Sequence, residues 1–253
     1  MKKLNLLLMS VAVLALSCKE KTEKQDDEAQ KMKDQEAAMQ LEQTQDEWVD
    51  FFNGENLEGW KAFNADTITQ WKVEDGALAF TPTEGERAGS ANLISKDEFT
   101  NFELSLEWKI SEAGNSGIMW GVQEDKKFKE PYLTGAEIQV LDNQKHPDAK
   151  NGPIRQAGAL YDMVPPSKDV TKPAGEWNKT IIRIDHVANL GTVTTNGEKI
   201  TEFPVHGDQW DKMVQRSKFK DWQDFGKYRS GHIALQDHGD KVWYRNIKIK
   251  KLE

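Results

Sequence analysis

From Phe102 to Ile110 the chain is apolar at every even position and polar at every odd one. Phe102, Leu104, Leu106, Trp108 and Ile110 therefore share one side of an extended segment, while Glu103, Ser105, Glu107 and Lys109 share the other. A period of two fits a half-buried β-strand and does not fit a helix, whose apolar positions recur every three to four residues. Shorter runs of the same kind follow. Ile118 to Val122 comes after the turn Gly114-Asn115-Ser116-Gly117, and Thr180 to His186 carries Ile182 and Ile184 on one face. Thr192 to Thr195 and Lys199 to Phe203 flank Asn196-Gly197, the pair that favours a two-residue type I′ hairpin turn. Ile233 to His238 and Val242 to Leu252 close the set. Many short alternating strands with turns between them predict an all-β domain of two packed antiparallel sheets, a jelly-roll sandwich. Two long stretches, Asn143 to Lys172 and Val205 to Ser230, read as loops, and loops of that length are usually functional or mobile.

The ends of the chain differ from this core. Met1 to Ser17 reads as a secretion signal: Lys2 and Lys3, then an apolar run from Leu4 to Leu16 that is short for a membrane span. It stops at Ala15-Leu16-Ser17-Cys18, which resembles a bacterial lipoprotein signal with Cys18, the only cysteine, as the lipidated residue. Residues 18–47 follow as a tether with no aromatic, Gly or Pro, a composition that cannot build a core. Its opening Lys-Glu and acidic run resemble the export signal of surface lipoproteins in Bacteroidetes-type bacteria; a plain spacer fits the same residues. The expected location is the bacterial cell envelope, held by lipid to a membrane, the outer one by preference. Acylation of Cys18 would leave no thiol, so folding proceeds without disulfides.

Residues 48–253 hold all nine Trp and suit one sizeable core. The whole chain carries a formal charge of −8; Lys2, Lys3 and the tether account for −3 of it and leave −5 on the domain. A mildly acidic domain without Arg/Lys clusters is a poor nucleic-acid binder, and a neutral sugar is compatible with that charge.

The stretch Gly135 to Asn143 is the chemical centre of the sequence. Alternation puts Glu137 and Gln139 on one face and Ile138 and Val140 on the other. A strand that only fills a core has little use for an acid and an amide side by side, whereas a sugar cleft needs fixed donors and acceptors. Asp142 falls on the core side by strict alternation; a bulge near Leu141 would return it to the Glu137 face and make a second catalytic carboxylate. A strand-ending turn at Asp142-Asn143 explains the same residues. On His232 to His238, Ile233 and Leu235 point to the core, while His232, Ala234, Gln236 and His238 share the other face, with the small Ala234 leaving room for a ligand.

These motifs, in order, resemble the 3-keto-disaccharide hydrolase family, also described as 3-keto-glucoside 1,2-lyase/3-keto-2-hydroxy-glucal hydratase. The likeness runs through Phe52-Asn53-Gly54, Leu57-Glu58-Gly59-Trp60, Asn115-Ser116-Gly117-Ile118, Glu137 to Asn143, and His146-Pro147-Asp148-Ala149. It continues in Arg155 to Asp162, Gly175-Glu176-Trp177-Asn178, Asn196-Gly197, Gly231 to Gly239 and Trp243 to Lys250. It covers roughly Trp48 to Leu252. The family implies a concanavalin-A-like jelly roll and a glycoside substrate oxidised at C3. One departure is Thr192-Val193-Thr194-Thr195, where many relatives carry a His-Trp pair. The Glu-x-Gln-x-x-Asp strand is also similar to the Glu-x-Asp-x-x-Glu strand of laminarinase-like retaining glucanases, though an amide replaces the middle acid and an Asp the last Glu.

A ketone at C3 makes the C2 proton acidic, so a base, an acid and a holder for the enolate oxygen would eliminate the group at C1, and water added back completes a net hydrolysis. The expected catalytic residues are Glu137 and His238, one as base, with the other or Asp142 as acid. Gln139, Gln236, Arg155, His146 and Trp120 are the expected substrate contacts; Arg155 alternatively pairs with Asp142 or Asp162. Trp210 or Trp222, in the late loop, are further stacking candidates. Two other functions fit the composition: a conventional glycoside hydrolase using Glu137 and Asp142, and a non-catalytic glycan-binding lipoprotein. No His-Glu-x-x-His or Cys spacing marks a zinc site, so no metal or cofactor is expected, with a divalent cation on carboxylates left open.

Overall fold

The computed structural model describes residues 47–83 and 91–253, together with Lys31 and Lys33, which are helical and exposed. The leader, Cys18 and the rest of the tether lie outside the described residues. Trp48–Glu253 is one compact unit. Its described residues form thirteen strands: β1 (Val49–Asp50), β2 (Trp60–Ala62), β3 (Trp71–Glu74), β4 (Ala77–Phe80), β5 (Leu93–Phe99), β6 (Phe102–Ile110), β7 (Asn115–Val122), β8 (Ala136–Leu141), β9 (Asn178–Asp185), β10 (Leu190–Thr195), β11 (Glu198–Phe203), β12 (Gly231–Leu235) and β13 (Val242–Lys251).

They form two antiparallel sheets. The larger runs β11-β10-β9-β6-β13-β4-β3, with β1 also paired to β13, and the smaller runs β2-β5-β12-β7-β8. The expected two-sheet sandwich is present. Its core is the inner face of each: Leu104, Leu106, Trp108, Ile182 and Tyr244 from one, Ile118, Trp120, Ile138, Val140 and Leu235 from the other. Each large side chain so buried contributes on the order of 1.5–3 kcal/mol relative to exposure. One polar tie crosses this core. Ser116 Oγ lies 2.8 Å from Tyr244 Oη of the opposite sheet and donates to the Gln236 carbonyl at 2.7 Å.

Phe102–Ile110 forms a strand over the full alternating run, and Asn196 and Gly197 take φ of 50° and 86° in their hairpin turn. Three expectations need correction. Asn115, Ser116 and Gly117 are not a turn but the first residues of β7; the turn lies earlier, at Ser111 to Gly114, where Gly114 donates to the Ser111 carbonyl. The late loop holds a helix, α1 (Gly207–Arg216), whose Trp210, Met213 and Val214 share one face at helical spacing. The long loop after β8 is not free of pairing. Gly158 donates to the Gln139 carbonyl, Gln139 to the Ala159 carbonyl and Tyr161 to the Glu137 carbonyl. That segment covers the open edge of β8 and satisfies backbone groups that an edge strand otherwise presents.

Candidate active site

The outer face of the smaller sheet carries the polar residues. β7 and β8 pair without a shift from Asn115↔Leu141 to Trp120↔Ala136, so Ile138 and Val140 go inward and Glu137 and Gln139 outward. Beside Glu137 the same face is apolar: Met119, Ala234 and Ile94 line up across β7, β12 and β5. They pack with Val122, Phe63 and Phe128, and Tyr132 and Leu133 lie against them. Ala234 is thus covered and leaves no space for a ligand. The space lies one row further on.

There, a hollow of about 300 Å³ is lined by Asn115, Glu137, Gln139, Gln236 and His238 from the sheet side. Tyr132, Tyr161, Lys218, Phe219, Trp222 and Phe225 wall it from the loops. A larger cavity of about 760 Å³ lies next to it and shares Trp222 and Phe225, but the buried carboxylate belongs to the smaller one. Gly117 lies directly against the Glu137 side chain. A Cβ there would stand 2.7 Å from Glu137 Cδ and 2.8 Å from Cγ, so only glycine lets this carboxylate lie across the strand.

Burial pushes Glu137 up to about 7; Lys218 pulls it back, nearby Asp148 raises it, and a hydrogen bond with Gln236 lowers it. Lys218 is exposed along much of its length, yet its ammonium sits 4.2 Å from the centre of the Tyr161 ring. Desolvation draws it below the usual lysine range, against the opposing pull of Glu137. Among the described residues, Asn115 Oδ1 and Gln236 Oε1 are buried without a hydrogen-bond partner. Unpaired amide oxygens beside a cavity are costly alone and suit a ligand with hydroxyl donors.

Of the residues expected from sequence, Glu137, Gln139, Gln236 and His238 meet in this hollow. The other four do not. No bulge forms at Leu141, and the Asp142 carboxylate turns to its own loop, accepting from Ala113 N at 2.8 Å, Gln144 N at 3.0 Å and Lys145 N at 3.3 Å. Arg155 binds Asp148 and Asp162 at 3.0–3.1 Å and braces the loop, pairing with Asp162 as its alternative reading had it. Trp120 faces the core and stacks on Phe203 at 5.7 Å; its parity with Ile118 already carried that signal. His146 caps the turn Pro147–Asn151, with Nδ1 accepting from Asp148 N, and does not line the hollow. Thr192 to Thr195 lies in β10 of the other sheet and lines no part of the hollow either.

Tyr132, Tyr161, Lys218 and Asn115 are among the site residues that sequence reasoning missed. Tyr161 donates to Asp148 Oδ2 at 2.7 Å, and burial together with that bond raises its hydroxyl above the usual range. Of the two late tryptophans, Trp222 reaches the hollow, 5.7 Å from Tyr132, while Trp210 is buried against Phe225.

Two antiparallel sheets, with a titratable carboxylate, a cation and unpaired amides gathered on the outer face of one, define a jelly-roll protein with a built polar site. A protein of unknown function with a galectin-like fold from Bacillus subtilis shares the architecture at a TM-score of 0.51 and 11% identity. The chain belongs to the family of 3-keto-alpha-glucoside-1,2-lyase-like domains, which it matches over residues 47–250. It is 38% identical to the 3-keto-disaccharide hydrolase of Bacteroides thetaiotaomicron, over 85% of this chain and 82% of that one. Among solved structures it resembles a putative glycosyl hydrolase from Parabacteroides distasonis. That likeness has a TM-score of 0.76 at 30% identity, covering 82% of this chain and 95% of the other.

Proposed function

We propose that this protein is an enzyme acting on carbohydrates that cleaves glycosides whose glucosyl unit is oxidised at C3, by elimination across C1–C2 followed by hydration. The observation that carries the proposal is Glu137: a carboxylate ionising near 7, laid over Gly117, facing a cation and two unpaired amide oxygens in a sugar-sized hollow. Family membership and the name of the Bacteroides relative support the substrate class.

Glu137 is the base that takes the C2 proton, since a group ionising near neutral pH is both available and strong enough. Lys218 faces the C3 oxygen and stabilises the enolate that forms. Asn115, Gln139 and Gln236 receive the ring hydroxyls, and Trp222 and Tyr132 offer aromatic faces to the sugar. His238 stands at the rim, where it positions the group that protonates the departing oxygen. A conventional two-carboxylate hydrolase loses support because Asp142, the second acid it requires, is engaged with three backbone amides. Acylation of Cys18 anchors the domain to the cell envelope; labelling with a fatty-acid probe, lost in Cys18→Ser, tests that step.

The activity is tested by incubating the protein in heavy water with a 3-keto-glucoside and with its unoxidised parent. Deuterium entering at C2 during release of the aglycone from the keto form alone is the expected result. Release from the parent at the same rate, or binding of both without turnover, overturns the proposal.

A further inference from the structure

His146, His238 and Asp240 meet beside the hollow, which His238 lines. One donor atom from each lies within 4.8 Å of the other two. The three arrive from two separate segments. His146 opens the turn Pro147–Asn151 after β8, and His238 and Asp240 belong to the connection from β12 to β13. Their surroundings hold them in place. Asp240 Oδ2 accepts from Asn115 N at 3.0 Å, His238 Nε2 lies 3.4 Å from Asn115 Nδ2, and the two imidazole rings stand edge to face at 6.2 Å. Asn115 and His238 also line the hollow, so this cluster and the proposed sugar site share a wall.

Two imidazoles and one carboxylate form a borderline donor set. Calcium and magnesium favour shells made wholly of oxygen, whereas zinc, manganese and their neighbours accept this mixture. Three protein ligands also leave coordination positions open, as a cation that works on substrate requires. We propose that His146, His238 and Asp240 bind one divalent first-row transition cation at the edge of the active site. His146 must give up the hydrogen bond from Asp148 N to do so, and one neutral hydrogen bond is a small loss beside a three-ligand metal site.

The role of the cation rests on the function proposed above. A water bound to it is acidified and supplies the proton that the departing O1 needs. As Glu137 takes the C2 proton, the electron pair released forms the enolate and then the C1–C2 double bond, and the C1–O1 bond breaks as O1 is protonated. The hydroxide left on the cation adds to C1 while Glu137, its proton exchanged with solvent in the interval, protonates C2. One water is consumed for each bond cleaved.

Binding is measured without substrate, so that it stands apart from the activity. The purified, tag-free protein is stripped with chelator and titrated calorimetrically with Zn²⁺, Mn²⁺ and Ca²⁺. One Zn²⁺ or Mn²⁺ per chain and no heat from Ca²⁺ is the expected result. His146→Asn keeps an acceptor for the Asp148 amide, and Asp240→Asn keeps one for Asn115. Each is expected to melt normally without metal and to bind roughly tenfold or more weakly. Glu137→Gln is expected to bind as the parent does. Absence of Zn²⁺ and Mn²⁺ binding, equal binding in both ligand variants, or Ca²⁺ binding of equal strength overturns the site. Metal binding that follows this pattern, with no turnover of the keto-glycoside, leaves the site standing and removes the function proposed for it.

Discussion

The Glu137 carboxylate lies diagonally across Gly117 of the neighbouring strand, in space that the Cβ of any other residue would occupy. The pair fixes both where the acid sits and how far it is shielded from water, and those two facts together place its ionisation near 7.

Gly117→Ala tests that relationship. The methyl group pushes the carboxylate off the strand, with no positive φ at this position to add backbone strain. Turnover of a 3-keto-glucoside is expected to fall about 100-fold, since a displacement of about 1 Å at a reacting group has that effect. The melting temperature should change little, because the displaced atoms border a cavity. Unchanged turnover would show that the carboxylate position is not critical.

Glu137→Gln separates catalysis from stability. Loss of the base lowers kcat by roughly 100-fold or more. The stability effect has the opposite sign. Glu137 ionises near 7 in the fold against a reference value of 4.5, so between those pH values the folded chain keeps a proton that the unfolded chain has lost. Stability from this group therefore declines as pH rises through the window, and the decline is complete above 7. The amide avoids it: at pH 8 the variant should be more stable, by something on the order of 2–3 kcal/mol, and near pH 4.5 almost unchanged. Chemical denaturation at both pH values measures the difference.

For the parent protein, kcat/KM should rise with pH through a midpoint near 7 as Glu137 ionises. Lys218 holds that midpoint down. In Lys218→Met the rising limb should move to higher pH, and the plateau should also drop because the enolate oxygen loses its cation. A limb that stays in place means that the titration seen in the rate belongs to another group.

Asp142 is expected to behave as a structural residue. Asp142→Ala strands three backbone amides and should cost about 1–3 kcal/mol in denaturant unfolding, with kcat of the folded fraction retained. A loss of kcat comparable to that of Glu137→Gln, at unchanged stability, would return Asp142 to the catalytic set.

The contrast between Glu137 and Asp142 shows what a sequence reveals at this fold. Strand alternation is a local rule, so the shared face of Glu137 and Gln139 could be read directly, as could the inward Ile138 and Val140. Asp142 required a guess about a bulge, and hydrogen bonds from Ala113 and Lys145 decide against it through two separate turns, one before β7 and one after β8. Lys218 had no signature at all. It is one lysine among several in a loop, and only the way that loop folds over Tyr161 brings its ammonium within electrostatic reach of the carboxylate. The His146, His238 and Asp240 cluster was hidden for a related reason, since its donors come from two distant connections and no short spacing unites them. Trp120 was legible but misjudged: an aromatic beside a turn suggests a sugar platform, and its register with Ala136 places it inside.

The pairing of Gly158 to Tyr161 along β8 has an effect beyond closing the sheet. The backbone of the strand bearing Glu137 is gripped from both flanks, so it is as firmly held as one in the middle of the layer. The same four residues deliver Tyr161 to the hollow. Trimming the connection from Asn143 to Lys172 would therefore bare a sticky border and dismantle part of the pocket at one stroke, leaving this chain far less liberty to vary there than a surface excursion ordinarily enjoys.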